Sequence, residues 1–194
     1  MYDFWYNKLI KDSPCAFDLG MSDTDSLLFK VDKPDVFWAQ IDQHMDYSNY
    51  DPSHPKYTDA NKAKLGFFKN EFGSEKKCLR FIGLRAKCYS LKTEDKNKKI
   101  SSKCVAKGVG RKAIENRMNF DQYAQSLEDK KVIRHSFASI RSTKHSVFTV
   151  MQSKKALTHF DSKRWIFQCG IHSVSYGHYH AKIYLKTCPI CKTL

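Results

Sequence analysis

The sequence predicts an α+β fold, with an antiparallel sheet that includes a β-hairpin and packed helices, followed by a small mixed α/β unit. Two observations lead to this class. Apolar side chains recur at helical spacing in residues 1–12 and 119–127, and short alternating or apolar runs typical of strands lie between and after them. With 194 residues, of which 41% are hydrophobic, the chain can bury an ordinary core.

The N-terminal segment predicts a helix followed by a β-hairpin. The helix is indicated by apolar side chains at i, i+3, i+4, i+7 and i+8, namely Tyr2, Trp5, Tyr6, Leu9 and Ile10. Pro14 ends this helix, because proline cannot continue it. The runs 15–19 and 27–31 predict two strands, and Asp23 and Asp25 lie near the tip of the hairpin that they form.

A polar, proline-bearing connection follows the hairpin at residues 32–59, with one short helix near 36–41. Strands are expected after it, at residues 65–72, 78–84 and 85–92. On the last of these strands Lys87 and Tyr89 would share a face, because strand side chains repeat every second residue. The charged stretch 93–99 marks a subdomain boundary.

Helices and then strands are predicted beyond that boundary. A basic helical stretch contains Arg111, Lys112 and Arg117. Asn119 is a helix N-cap, and the apolar stripe of the helix that it begins is Phe120, Tyr123, Ala124 and Leu127. Short strands rich in Ser, Thr, Lys and Arg are expected in residues 132–168.

Charge is distributed unevenly along the chain. Residues 1–60 contain 5 Lys and 11 Asp, a formal charge of −6, whereas residues 61–194 contain 29 Lys or Arg and 9 acidic residues, a charge of +20. The basic part predicts a polyanionic partner.

The seven cysteines are scattered along the chain, which suits reduced thiols. No apolar run approaches the roughly 20 residues that span a bilayer. We therefore expect an intracellular protein without membrane contact.

Asp23-Thr24-Asp25 is compatible with several chemistries. An EF-hand loop is excluded because Leu27 and Leu28 replace its ligand and glycine positions, and an aspartic-protease turn would need glycine in place of Asp25. Polymerases and glycosyltransferases that hold divalent ions against phosphates remain, together with a simple exposed acidic turn.

Four ordered blocks resemble family B DNA polymerases. Residues 22–27 are similar to motif C, usually Tyr-Gly-Asp-Thr-Asp-Ser, and residues 83–90 are similar to the Lys-x-Tyr motif. Residues 102–109 resemble the Lys-Cys-Lys-Gly stretch that opens the thumb of protein-primed members. Residues 163–179 resemble the C-terminal signature of polymerases from Polinton (Maverick) transposons and related viruses.

This resemblance implies the C-terminal part of a polymerase palm in residues 1–99, a thumb in 100–180, and an unmatched tail in 181–194. It implies that Asp25 is the catalytic carboxylate and Asp23 its partner, binding Mg²⁺ or Mn²⁺, two ions in the complete enzyme.

The resemblance also implies DNA contacts. Lys87 and Tyr89 would steady the primer, and Lys103 and Lys107 would hold backbone phosphates. The implied partners are primer-template DNA, deoxynucleoside triphosphates and a terminal protein primer. The compartment would be the nucleus for an integrated eukaryotic element.

The chain departs from the family pattern in two respects. Met21 and Ser22 replace the usual Tyr-Gly, and no stretch matches the motif A aspartate, the lysine helix of the fingers or the exonuclease. We therefore expect that the isolated chain does not polymerise. A non-catalytic nucleic-acid-binding module remains an alternative, as does a glycosyltransferase, which would leave the basic segment unexplained.

His178, His180, Cys188 and Cys191 have ligand types and spacings compatible with zinc. The sequence favours a core histidine and a reduced tail over a metal site at these residues, so zinc is not expected there.

Overall fold

Helices and small, mostly antiparallel sheets follow one another along the chain, which confirms the predicted α+β class. The computed structural model describes residues 1–161, 163–170, 172–179, 181, 188 and 191. The helices are a π-helix (Phe4–Lys11), α1 (Pro34–Ile41), a 3₁₀ turn (Asp42–His44), α2 (Arg111–Arg117) and α3 (Phe120–Glu128). The strands are β1 (Phe17–Asp23), β2 (Ser26–Val31), β3 (Met45–Asp46), β4 (Phe68–Lys69), β5 (Lys77–Arg85), β6 (Cys88–Glu94), β7 (Ile100–Ala106), β8 (Ile133–Thr143), β9 (Ser146–Leu157), β10 (Arg164–Ile166) and β11 (Ser173–Ser175). Within the described ranges, every helix is too short or too polar to cross a membrane.

The predicted N-terminal helix is present, but it is a π-helix. The backbone N–H of Asp12 donates to the carbonyl of Asn7 at 3.1 Å, five residues back. Trp5 and Leu9, four residues apart, are buried, whereas the other three members of the predicted stripe, Tyr2, Tyr6 and Ile10, are exposed. The predicted stripe is therefore only partly correct, since it assumed the spacing of an α-helix and a π-helix has more residues in each turn.

The predicted hairpin is formed by β1 and β2, and the helix packs against it as expected. Trp5 and Phe29 have ring centroids 5.7 Å apart, and Phe29 contacts Phe17 of β1 and Phe37 of α1 at 5.5 and 5.4 Å. Phe29 meets Phe17 and Phe37 edge to face, and aromatic contacts of this kind stabilise a core beyond their buried area. This first core fixes the hairpin whose turn carries the two aspartates.

The predicted strand at residues 65–72 is mostly loop. Only Phe68–Lys69 pairs, in parallel, with β3, and Leu65 is 99% exposed. Asp46 stabilises the loop instead. Its buried carboxylate accepts hydrogen bonds from the backbone N–H groups of Ser48 and Ala63. It also forms an ion pair with Lys69 at 3.2 Å. Burial alone would raise the pKa of Asp46, but these donors outweigh it and lower the pKa to about 2.

Acidification is therefore expected to destabilise the loop through Asp46. Because the pKa is lower in the folded chain than in the unfolded chain, the stabilisation is fully present above pH 3.8 and is lost as pH falls toward 2. Urea unfolding followed between pH 5 and 2 should show a smaller pH slope for Asp46→Asn than for the parent chain. An unchanged slope would contradict this role.

Strands β5, β6 and β7 form a three-stranded antiparallel sheet against α3, and their contact makes a second core. Asn119 caps α3 as predicted, accepting from the backbone N–H of Gln122 at 3.0 Å, but Leu127 is exposed and Ser126 is buried in its place. The predicted subdomain boundary at 99/100 falls in the β6–β7 connection. Residues on both sides of it share one sheet, and the domain division remains a prediction.

The short strands predicted for residues 132–168 are largely replaced by one long hairpin, in which β8 pairs with β9 along its whole length. The short strands β10 and β11 form a separate hairpin, and Cys169 and His172 lie between these two strands.

Candidate active site at the hairpin turn

The tip of the β1–β2 hairpin brings two of the resemblance blocks together. Asp23 ends β1 and pairs with Ser26, so Thr24 and Asp25 form the turn. The ammonium of Lys87 lies 2.7 Å from Oδ1 of Asp23, and the Thr24 hydroxyl donates to the same oxygen at 3.0 Å. Asp23 and Lys87, which are far apart in sequence, therefore meet in one ion pair.

Lys87 reaches Asp23 from a turn and not from a strand, which corrects the sequence prediction. Arg85 pairs with Cys88, so Ala86 and Lys87 form the turn between β5 and β6, and Lys87 has a positive φ of 56°. The carbonyl of Lys87 accepts the backbone N–H of Lys107 at 2.9 Å. The end of β7 thus fixes the turn that presents Lys87.

Two glycines let the hairpin approach the sheet closely. A Cβ on Gly20 would lie 3.3 Å from the Phe81 ring, and a Cβ on Gly83 would lie 2.9 Å from the same ring. Phe81 and Gly83 occupy one face of β5, opposite Leu91 and Tyr89 of β6. The Phe81 ring therefore occupies a slot between Gly20 and Gly83. This packing was not predicted from the sequence, although an isolated glycine in a strand indicates close backbone approach.

The electrostatics of the site follow from these contacts. The hydrogen bond from Lys87 lowers the pKa of Asp23 below its ordinary value, against the opposing effect of burial, and the charge of Lys107 adds to this lowering. Asp23 raises the pKa of Lys87, and Asp25 contributes to the increase. The pKa of Tyr89 is raised by burial and by the negative charge of Asp23. At neutral pH the site thus contains an ionised Asp23 carboxylate beside the Lys87 ammonium.

Asp25 differs from Asp23 in its surroundings. Its side chain is exposed, and within the described part of the chain its carboxylate accepts no hydrogen bond and forms no ion pair. Carboxylate oxygens are the ligands that Mg²⁺ and Mn²⁺ prefer. Asp25 and the second oxygen of Asp23 fit such an ion in chemical type.

The predicted DNA-binding residues lie around the same sheet. Tyr89 is half-buried on β6, with its ring centroid 6.1 Å from that of Phe81. Lys107 is exposed where β7 ends, and Lys103 is exposed on β7 opposite Leu91, on the face that carries Tyr89. The structure thus gathers Lys87, Tyr89 and Lys107 near Asp23, whereas Lys103 lies further along the strand.

Comparison with protein-family models, curated proteins and solved structures finds no match to this chain. Function is therefore inferred from the residues of the site and their contacts.

The four residues considered for zinc do not form one group in the described structure. The ring of His178 stacks on Tyr179, and His180 lies outside the described residues. Cys188 and Cys191 lie beside Cys169 and His172 instead. Cys169 and His172 were not predicted as ligands, although Cys169-x-x-His172 repeats the spacing of Cys188-x-x-Cys191.

Proposed function

We propose that the chain is the C-terminal palm and thumb part of a protein-primed family B DNA polymerase, with Asp25 and Asp23 as motif C metal ligands. The observation that carries the proposal is the 2.7 Å ion pair between Lys87 and Asp23. It joins two blocks that are far apart in sequence and that the resemblance assigns to the same end of the primer.

The chemistry of the residues agrees with this assignment. Mg²⁺ or Mn²⁺ held by such carboxylates supplies Lewis-acid activation of the primer 3′-hydroxyl and neutralises charge on the triphosphate. Asp25 is the better exposed ligand, and Asp23 is oriented by Thr24. Lys87 contributes a point charge suited to phosphate, and Tyr89 adds a flat ring beside it.

Lys87 would change partners during function. Its ammonium neutralises Asp23 in the described structure, so a divalent ion at Asp23 would leave the ammonium available for a DNA phosphate. The exposed Lys107 and Lys103 extend the positive charge along the sheet, within a segment of formal charge +20. The proposed partners are therefore primer-template DNA and deoxynucleoside triphosphates, with a terminal protein as primer.

A non-catalytic nucleic-acid-binding module is the second candidate. It is favoured by the same ion pair, because Lys87 offsets the charge of one of the two carboxylates. Metal binding at Asp25 distinguishes the two candidates.

DNA binding by the full chain is expected to depend on these lysines. Replacing Lys87 or Lys107 by glutamine should weaken binding to a primer-template duplex and reduce the slope of log affinity against log salt by about one for each phosphate that the lysine no longer neutralises. Fluorescence anisotropy titrations between low and moderate NaCl measure this slope.

The matched control is Lys64→Gln, which removes one exposed charge in the loop before β4. This variant should bind with nearly the parent slope. If it weakens binding as much as Lys87→Gln does, the sheet face is not the DNA site and the chain binds DNA only through its net charge.

A further inference from the structure

The strongest site outside the hairpin is a group of three cysteines and one histidine near the C-terminus. Cys169 and His172 lie in the loop between β10 and β11, and Cys188 and Cys191 come from the segment beyond it. Their ligand atoms all lie within 4.8 Å of one another. We propose that Cys169, His172, Cys188 and Cys191 bind one structural Zn²⁺.

The distances suit a tetrahedral ion. Nδ1 of His172 lies 3.6 Å from Sγ of Cys169 and 3.4 Å from Sγ of Cys188. With ordinary zinc bond lengths, the sulfur and nitrogen ligands of a tetrahedral site are about 3.6 Å apart and two sulfurs about 3.8 Å apart. Both nitrogen–sulfur distances therefore lie close to those of a tetrahedral zinc site, and no two of the four ligand atoms are more than 4.8 Å apart.

Hydrogen bonding alone explains the arrangement poorly. Nδ1 of a histidine has either one lone pair or one N–H, so it cannot form full hydrogen bonds with two thiols at once. A metal ion resolves this conflict, because it bonds to the nitrogen and to both sulfurs simultaneously.

The backbone around the group favours thiolates. The N–H of His172 donates to Sγ of Cys169 at 3.4 Å, and the N–H of Cys191 donates to Sγ of Cys188 at 3.5 Å. Hydrogen bonds to a sulfur stabilise its charged form, which is the form that binds zinc. Gly170, with a φ of 72°, provides the tight turn that brings Cys169 and His172 together.

The local fold gives a zinc ion a structural role. Strands β10 and β11 are three residues each, and an isolated two-stranded hairpin of this size is at best marginally stable in water. Zinc would join the hairpin loop to Cys188 and Cys191, and binding would release the three thiol protons to solvent. This site shares no residue with the hairpin turn, so it stands independently of the polymerase proposal.

The first test is metal content of the full chain, purified reduced and without chelator. We expect about one zinc per chain, and tetrahedral visible absorption after replacement by Co²⁺. Cys169→Ser and His172→Asn should each lose stoichiometric metal, whereas Cys78→Ser and His178→Asn should retain it. Absence of zinc together with failure to take up Co²⁺ would overturn the proposal, as would unchanged zinc in Cys169→Ser.

A second test uses the parent chain, so its result does not depend on how a variant folds. Cys191 is exposed, so burial does not protect its thiol. If zinc is bound, Cys191 should react slowly with iodoacetamide and at least about tenfold faster after a strong chelator is added. Equal rates with and without chelator, or a disulfide within the group found by mass spectrometry under these reducing conditions, would contradict a metal site.

Discussion

Asp25→Asn is expected to abolish divalent-ion binding at the hairpin turn while the fold is retained. The asparagine has the same shape but removes the exposed carboxylate, and an amide is a much weaker ligand for a hard cation. Mn²⁺ added to the isotope-labelled chain should broaden the amide resonances of residues 22–27 in the parent. In the variant that broadening should disappear at the same Mn²⁺ concentration.

Asp23→Asn should have a smaller effect on Mn²⁺ binding, because Lys87 already offsets the charge of Asp23. The matched control is Asp59→Asn, an exposed aspartate in the loop before β4, which should leave broadening at the hairpin unchanged. Broadening of residues 22–27 that persists in Asp25→Asn would contradict the assignment of Asp25 as a metal ligand.

Under the proposed polymerase function, we expect Asp25 to have a larger effect on catalysis. In a polymerase that contains this segment together with a motif A aspartate, losing the charge of Asp25 should reduce primer extension about a thousandfold, since metal stabilisation is worth several kcal/mol. Single-turnover nucleotide incorporation measures this loss. Retained activity would overturn the polymerase assignment of the turn.

The hairpin could be predicted because its determinants are local. Apolar runs on both sides of Thr24-Asp25 specify two strands and a tight turn, and the structure has both. The face of Lys87 could not be predicted from alternation. Lys87 lies in a turn because Arg85 pairs with Cys88. This pairing register is set by contacts across the sheet, which the alternation of side chains does not reveal.

The cysteine cluster shows a different limit of sequence analysis. Spacing alone identified Cys188 and Cys191 as a candidate pair, but it offered His178 and His180 as partners because they are closest in sequence. The loop between β10 and β11 instead places Cys169 and His172 against the pair. Which residues meet is decided by the fold of that loop, and a single sequence does not reveal it.

The Phe81 ring lies in the slot between Gly20 and Gly83, so a larger side chain at Gly83 should disturb it. Gly83→Val is expected to destabilise the chain by about 1–3 kcal/mol, because its side chain must displace the Phe81 ring from a position only 2.9 Å from the new Cβ. The displaced ring would press on Gly20 in β1 and move the hairpin away from Lys87. Urea unfolding measures the first effect, and Mn²⁺ broadening of residues 22–27 measures the second.

A compensating change separates this mechanism from a general loss of strand stability. Phe81→Leu replaces the ring with a smaller side chain, so the double variant with Gly83→Val should recover part of the stability and of the Mn²⁺ binding. If valine destabilised β5 by a route that does not involve the Phe81 ring, the destabilising effects of the two changes would instead add, since changes that act independently are additive. Additive losses would therefore show that the Phe81 ring does not position the hairpin, whereas recovery would connect Gly20, Phe81 and Gly83 to the placement of Asp23 and Asp25.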